Sequence, residues 1–150
     1  MPTPKQKVFA YITHGNRLLV FSHPNSPEAG IQVPAGTLNP GEPPETGVLR
    51  EAFEETGLSN LRLVRFLGEQ VREMFDFNLG GEIHHRYFYH LRYEGDAPAV
   101  WQHEERDPYG GTGRAILFEL FWAELPDRVP ELIADHGKFL PELLKSLDGQ

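Results

Sequence analysis

The sequence predicts an α/β protein of the α+β kind, or a layered α/β/α pattern, in which a strand-rich sheet is accompanied by an internal helix and a C-terminal helix. Three observations carry that expectation. Segments rich in β-branched and aromatic residues recur along the chain and alternate with turn residues. One stretch around residue 50 has apolar residues at helical spacing between a proline pair and a glycine. The C-terminal segment repeats that spacing with leucines. A length of 150 residues suits one domain, 1–150, able to bury a core.

The elements follow in order. KVFAYIT (7–13) and RLLVFS (17–22) flank the turn signal HGN and read as a hairpin. HPNSPEAG (23–30) is a loop by composition, IQVPA (31–35) a short strand, and GTLNPGEPP (36–44) a second loop. Pro43 and Pro44 suit a helix start and Gly57 a helix end, with Val48, Leu49, Ala52 and Phe53 between them expected to face the sheet. LRLVRFLGEQVREMF (61–75) and EIHHRYFYHLRYEG (82–95) read as long strands around NLGG. AVWQHEER (99–106) and RAILFELFWAEL (114–125) read as strands joined by DPYGGTG, which could lie over an active site. From Asp127 to Leu147, Leu132, Ile133, His136, Leu140, Leu143, Leu144 and Leu147 predict a helix, broken or kinked by Gly137 and Pro141.

Composition removes several function classes. The absence of cysteine excludes disulfides, thiolate metal sites and cysteine nucleophiles. A formal net charge of −8 argues against a nucleic-acid polymer as partner. No apolar run reaches the roughly 18 residues of a membrane span, and MPTPKQKVFAYITHG lacks the apolar stretch of a signal peptide. The expected location is therefore cytoplasmic, with no membrane partner.

The stretch GEPPETGVLREAFEETG (41–57) concentrates acid in an already acidic chain. With about 100° per residue, Glu51, Glu54 and Glu55 fall within an arc of about 100° on one side of the helix. Like charges at these spacings cost a helix roughly 0.2–0.5 kcal/mol per pair. A solvated acidic face is one reading. The other is a site for a hard divalent cation, Mg²⁺ or Mn²⁺, which takes oxygen ligands and leaves positions for substrate phosphates. Such an ion would also let an acidic protein accept a phosphate-rich substrate.

The surrounding residues complete a longer pattern: Gly36, Glu42, Arg50, Glu51, Ala52, Glu54, Glu55, Gly57 and Leu58. Their spacing resembles the Nudix box, G-x5-E-x7-R-E-U-x-E-E-x-G-U with U a bulky aliphatic, and every specified position is met across residues 36–58. The resemblance implies a Nudix-type α/β/α sandwich with a loop–helix–loop packed on a mixed β-sheet. It also implies metal-dependent hydrolysis of a diphosphate linkage in a nucleoside diphosphate joined to another moiety, by a metal-activated water attacking phosphorus. Glu51, Glu54, Glu55 and the Ala35 carbonyl would hold the metal, Arg50 would orient the glutamates, Gly36 would permit a tight loop, and Glu42 would fix the loop on the helix. Glu51 and Glu54 are candidate general bases; Glu104 or Glu105, from a later segment, is the alternative. The implied partner is a small nucleotide or diphosphate substrate, and a homodimer is an assembly the resemblance allows. A non-hydrolytic nucleotide-binding sensor of the same fold is the competing function; an isomerase of this fold would normally need a cysteine.

Other residues read more plainly. Glu119 is expected to face water from an edge strand. Glu69, Arg72, Glu73 and Arg86 are long-strand charges that either line a cleft or face solvent. His84 and His85, adjacent on a strand, point to opposite faces and cannot chelate together. Trp101, Trp122, Tyr87, Phe88 and Tyr89 are more in keeping with a core than with a base-stacking platform. DPYGGTG is not a phosphate-binding P-loop, because no Lys-Ser/Thr follows it.

Overall fold

Alternation along the first strand sets the architecture. In Lys5–His14 (β1), Val8, Ala10 and Ile12 enter one core while Phe9 and Tyr11 enter another. A strand buried on both sides must be covered on both faces, and it is. The computed structural model describes residues 3–76, 80–106 and 115–148. The remaining elements are Arg17–Ser22 (β2), Ala35–Thr37 (β3), Pro44–Thr56 (α1), Leu61–Asp76 (β4), Gly80–Tyr93 (β5), Val100–Arg106 (β6), Ala115–Glu124 (β7) and Leu140–Asp148 (α2).

The strands form one sheet in the order β4-β5-β1-β2-β7-β6, with β3 added against β1. Among the pairings of the described strands, β1–β5 alone is parallel, so the sheet is mixed as expected. On one face, Val48 and Ala52 of α1 pack with Leu19, Phe21, Leu91, Phe118 and Leu120. On the other, Leu143 of α2 packs with Tyr11, Leu18, Val20 and Phe88.

The β1–β2 hairpin pairs only at Thr13–Leu18 and His14–Arg17, and then the strands part. Residues 31–37 fill the gap between them. Gln32 exchanges backbone hydrogen bonds with Phe21 of β2, at 2.9 and 3.0 Å, and the Ala10 N–H of β1 donates to the Pro34 carbonyl at 2.8 Å. The strand expected at 31–35 is thereby corrected. Ile31 and Gln32 make isolated bridges, and the paired strand is Ala35–Thr37, inside the segment read as a loop from Gly36. The chain must pass from one strand to the other at this point, and Pro34 has no N–H with which to continue a ladder. The preceding loop contains one helical turn, Pro27–Ala29.

Helix α1 starts at Pro44 and ends at Gly57, whose φ of 76° is the left-handed conformation a helix stop favours; its N–H donates to the Phe53 carbonyl. Its buried stripe is Val48, Ala52 and Thr56. Phe53 departs from expectation and stands 54% exposed. It lies about 100° around the helix from Ala52, beyond the edge of that stripe.

The tail is also corrected, since residues 127–139 do not continue the predicted helix. They make a single turn at Ile133–Asp135, with Ala134 and Asp135 at positive φ, before α2 begins at Leu140. Buried hydrogen bonds to the sheet outcompete helical ones there. The Tyr11 hydroxyl donates to the His136 carbonyl and accepts from the Phe139 N–H, and His136 Nδ1 accepts from the Val33 N–H at 3.2 Å. Pro141 sits in the first turn of α2, where proline opens a helix instead of breaking it. The tip of NLGG and the segment DPYGGTG lie outside the described residues. Among the described residues, no helix is long and apolar enough to cross a membrane.

Candidate functional site

The parting of β1 and β2 opens a cleft of about 850 Å³ beside α1. Glu51 and Glu55 reach it from α1, Ala35, Gly36 and Thr37 from β3, and Glu105 from β6. Strand alternation decides between the two adjacent acids of β6. Trp101, His103 and Glu105 lie on the side facing α1, where the Trp101 indole N–H donates to the Thr56 carbonyl at 3.0 Å and His103 Nε2 donates to the Glu54 carbonyl at 2.8 Å. Glu104 is exposed on the other side. Glu119 is half-buried on β7, out of phase with Phe118 and Leu120 on the α1 side.

Arg50 ties the loop to the helix. Its Nε and Nη2 donate to both Glu42 oxygens at 2.8 Å, a bidentate pair. Its Nη1 donates to Glu51 at 2.8 Å and to Glu54 at 3.1 Å, and Nη2 also reaches the Thr37 carbonyl at 3.2 Å. Glu42 in turn accepts from the Asn39 N–H at 3.0 Å. Arg50 is the leading cause that holds the Glu42 carboxyl down to about 2, and the Asn39 N–H adds to it.

Gly36 serves a purpose other than the tight loop expected of it. It lies in β3 opposite Val8, and a Cβ there would come within 2.0 Å of the Glu51 carboxyl carbon. The missing side chain is what lets Glu51 lie flat against the strand.

The acids in the cleft are electrostatically costly. Burial raises the Glu51 carboxyl; Arg50 opposes this, and Glu54 and Glu105 add to it. Burial pushes the Glu55 carboxyl well above the usual carboxylate range. The Ala35 N–H, donating to Glu55 Oε1 at 2.6 Å, opposes that shift, whereas Glu105 and Glu51 reinforce it. Glu105 Oε2 is buried with no hydrogen-bond partner among the described residues. Glu54, at 48% side-chain exposure, turns toward Arg50 and solvent instead of into the cleft.

The family comparison fits this arrangement. The NUDIX domain model matches residues 3–143. The chain belongs to the Nudix family. Among its Nudix-type relatives, an RNA pyrophosphohydrolase of Bartonella clarridgeiae is 31% identical over 70 residues, covering 46% of this chain and 38% of that protein. The crystal structure of a UDP-X diphosphatase aligns with a TM-score of 0.68 at 18% identity, covering 99% of this chain and 65% of that one. A MutT NUDIX hydrolase from Burkholderia pseudomallei aligns with a TM-score of 0.57 at 24% identity, covering 94% and 98%. The structural likenesses show a shared fold. This chain spans less than two thirds of the length of the first two relatives.

Nudix proteins generally use divalent metals, and the donor set here suits one. It is all oxygen, neighbouring carboxylates help to raise Glu51 and Glu55, and among the described residues one buried carboxylate oxygen lacks a donor. As the side chains stand, no group of three or more acidic or histidine residues is arranged to hold an ion among the described residues, because Glu51 and Glu54 are turned onto Arg50.

Sequence reasoning reached Glu51, Glu55 and Glu105 but missed Lys7, and it did not place Arg86 or His84. All three line the same cleft. No local signal marks them, because a pairing between distant strands brings them together.

Proposed function

We propose that this Nudix chain hydrolyses a diphosphate linkage in a nucleoside diphosphate joined to another moiety. The observation that carries the reading is the convergence of Glu51, Glu55 and Glu105 on one cleft, where burial and neighbouring carboxylates raise Glu51 and Glu55. Mg²⁺, or Mn²⁺ in its place, would neutralise the diphosphate and lower the pKa of an attacking water when bound. Glu51, Glu54, Glu55 and the Ala35 carbonyl would hold it. Arg50 orients Glu51 and Glu54, and Glu42 anchors Arg50 to the loop. Glu105 is the preferred proton acceptor, because it lines the cleft from outside the helix and one of its oxygens has no hydrogen-bond partner among the described residues. Relatives named as a pyrophosphohydrolase and a diphosphatase support the reaction class.

The test is turnover with Mg²⁺ across nucleoside triphosphates, nucleotide sugars, ADP-ribose and dinucleoside polyphosphates, with Glu54→Gln as the blank. Turnover of one class, reduced by at least about a hundredfold in the variant, is expected. Silence from folded protein that still binds a nucleotide would favour a sensor.

A further inference from the structure

The wall of the cleft opposite the acids is basic. Parallel pairing of β1 with β5 sets Lys7 directly across from Arg86 and Lys5 across from His84; on the other side of β5, Arg72 faces His84. Like charges directly opposite in a sheet are destabilising. Glu82 compensates Lys5 and His84, and Asp135 compensates Arg72. Among the described residues, no carboxylate forms a salt bridge with Lys7 or Arg86.

Arg86 is the sharpest case, at 2% exposure. Its Nη1 donates to the Ala134 carbonyl at 2.6 Å, its Nη2 contacts the Met74 sulfur at 3.4 Å, and its guanidinium stacks 4.8 Å from the Phe9 ring centroid. Its Nε is buried with no hydrogen-bond partner among the described residues, and so is His84 Nδ1. Among the described residues, Lys7 Nζ donates to a hydroxyl alone, Thr37 Oγ1, at 2.8 Å. Burial, with Arg72 adding to it and Asp135 opposing, lowers the Arg86 guanidinium to about 10. A latch on Ala134 would explain one N–H of Arg86. It would not explain a buried positive charge, which is costly unless paired, nor why Lys7 and His84 share the wall.

We propose that Lys7, His84 and Arg86 form a phosphate subsite. It receives a phosphate of the substrate beyond the linkage cleaved beside Glu51 and Glu55, so the preferred substrates end in phosphate instead of a neutral sugar. This rests on the hydrolase reading for its substrate, but the subsite can be tested without it.

The experiment is calorimetric titration of inorganic phosphate and tripolyphosphate in EDTA, using wild type, Lys7→Met, Arg86→Lys and Glu54→Gln. Wild type and Glu54→Gln should bind alike, and Lys7→Met and Arg86→Lys should each weaken binding by at least about tenfold. Lys7 is only half-buried, so Lys7→Met carries the test if the Arg86 variant does not fold. With Mg²⁺, the kcat/KM ratio of nucleoside triphosphate to nucleotide sugar should exceed one in wild type and fall by a similar factor in Lys7→Met. Phosphate affinity unchanged in Lys7→Met, or no binding to wild type at millimolar phosphate, would overturn the subsite. Lys7-dependent phosphate binding without turnover of any diphosphate would overturn the hydrolase reading and leave the subsite standing.

Discussion

Glu55 shows at the level of one residue how function and stability oppose each other. Its carboxyl is raised by burial, so the folded state favours the protonated form. Such a group contributes stability that is fully present below the ordinary carboxylate pKa and is lost as pH rises from there through its folded pKa. At neutral pH without metal, the anion is therefore a liability. Glu55→Gln keeps an acceptor for the Ala35 N–H and removes the charge. The variant should melt about 2–4 °C higher than wild type in EDTA, equivalent to about 1 kcal/mol. It should also lose most of the stabilisation that Mg²⁺ or Mn²⁺ gives wild type. Differential scanning calorimetry with and without metal checks both. A lower melting temperature in EDTA would mean that the carboxylate is not strained. The spacing of Glu51, Glu54 and Glu55 was legible in the sequence because a helix converts spacing directly into direction. What each acid meets was not, and Glu54 in fact faces Arg50 and solvent.

Among the elements, α2 is held by Leu143, by the half-buried Leu140, Leu144 and Leu147 beside it, and by the Ser146–His90 hydrogen bond. Leu143 is its one fully buried apolar side chain, set between Tyr11, Leu18, Val20 and Phe88. Leu143→Ala should cost about 2–5 kcal/mol in urea unfolding, by lost burial and the cavity left behind. A loss under about 1 kcal/mol would show that the site collapses or that α2 contributes little. The strands were legible to within a few residues because their alternation is local. The segment 127–139 departs from the expected helix because Leu132, Ile133 and His136 keep helical spacing while its backbone bonds go to Tyr11 and Ile31 and the His136 ring accepts from the Val33 N–H. No local pattern announces such long-range partners. The wedge at 31–37 was misplaced for the same reason, its register being set by β1 and β2 on either side.

On the scale of the whole molecule, two buried histidines shape the acid limit of stability. Burial, reinforced by nearby arginines, lowers His136 to about 3 and His90 to about 4. His90 is locked between Thr13 and Ser146, each 2.7 Å away. The unfolded chain takes up these protons first, so stability is fully present above the ordinary histidine pKa near 6.5 and is lost as pH falls toward 4. Each histidine adds up to about 1.4 kcal/mol per pH unit to that slope. Urea midpoints from pH 7 to 4 should fall steeply in wild type and less steeply in His90→Gln; equal slopes would contradict the assignment. The charge map belongs to this scale too. An acidic chain places its acids on one side of a single cleft and a basic row on the other, and residues 79 positions apart, Lys7 and Arg86, meet only through the parallel β1–β5 pair. The family was legible from 23 consecutive positions, 36–58; this wall was not legible at all.

The central claim is that the acids of this cleft use a divalent ion to cleave a phosphoanhydride. Its most direct test is the Mg²⁺ dependence of turnover by EDTA-stripped protein on the best substrate of the panel, in wild type and Glu105→Gln. The account predicts no turnover without metal and saturable recovery on adding Mg²⁺. It also predicts that Glu105→Gln lowers kcat by about 10²–10⁴-fold while its fold and phosphate binding persist. Turnover that persists in EDTA, or a Glu105→Gln enzyme as fast as wild type, would contradict it.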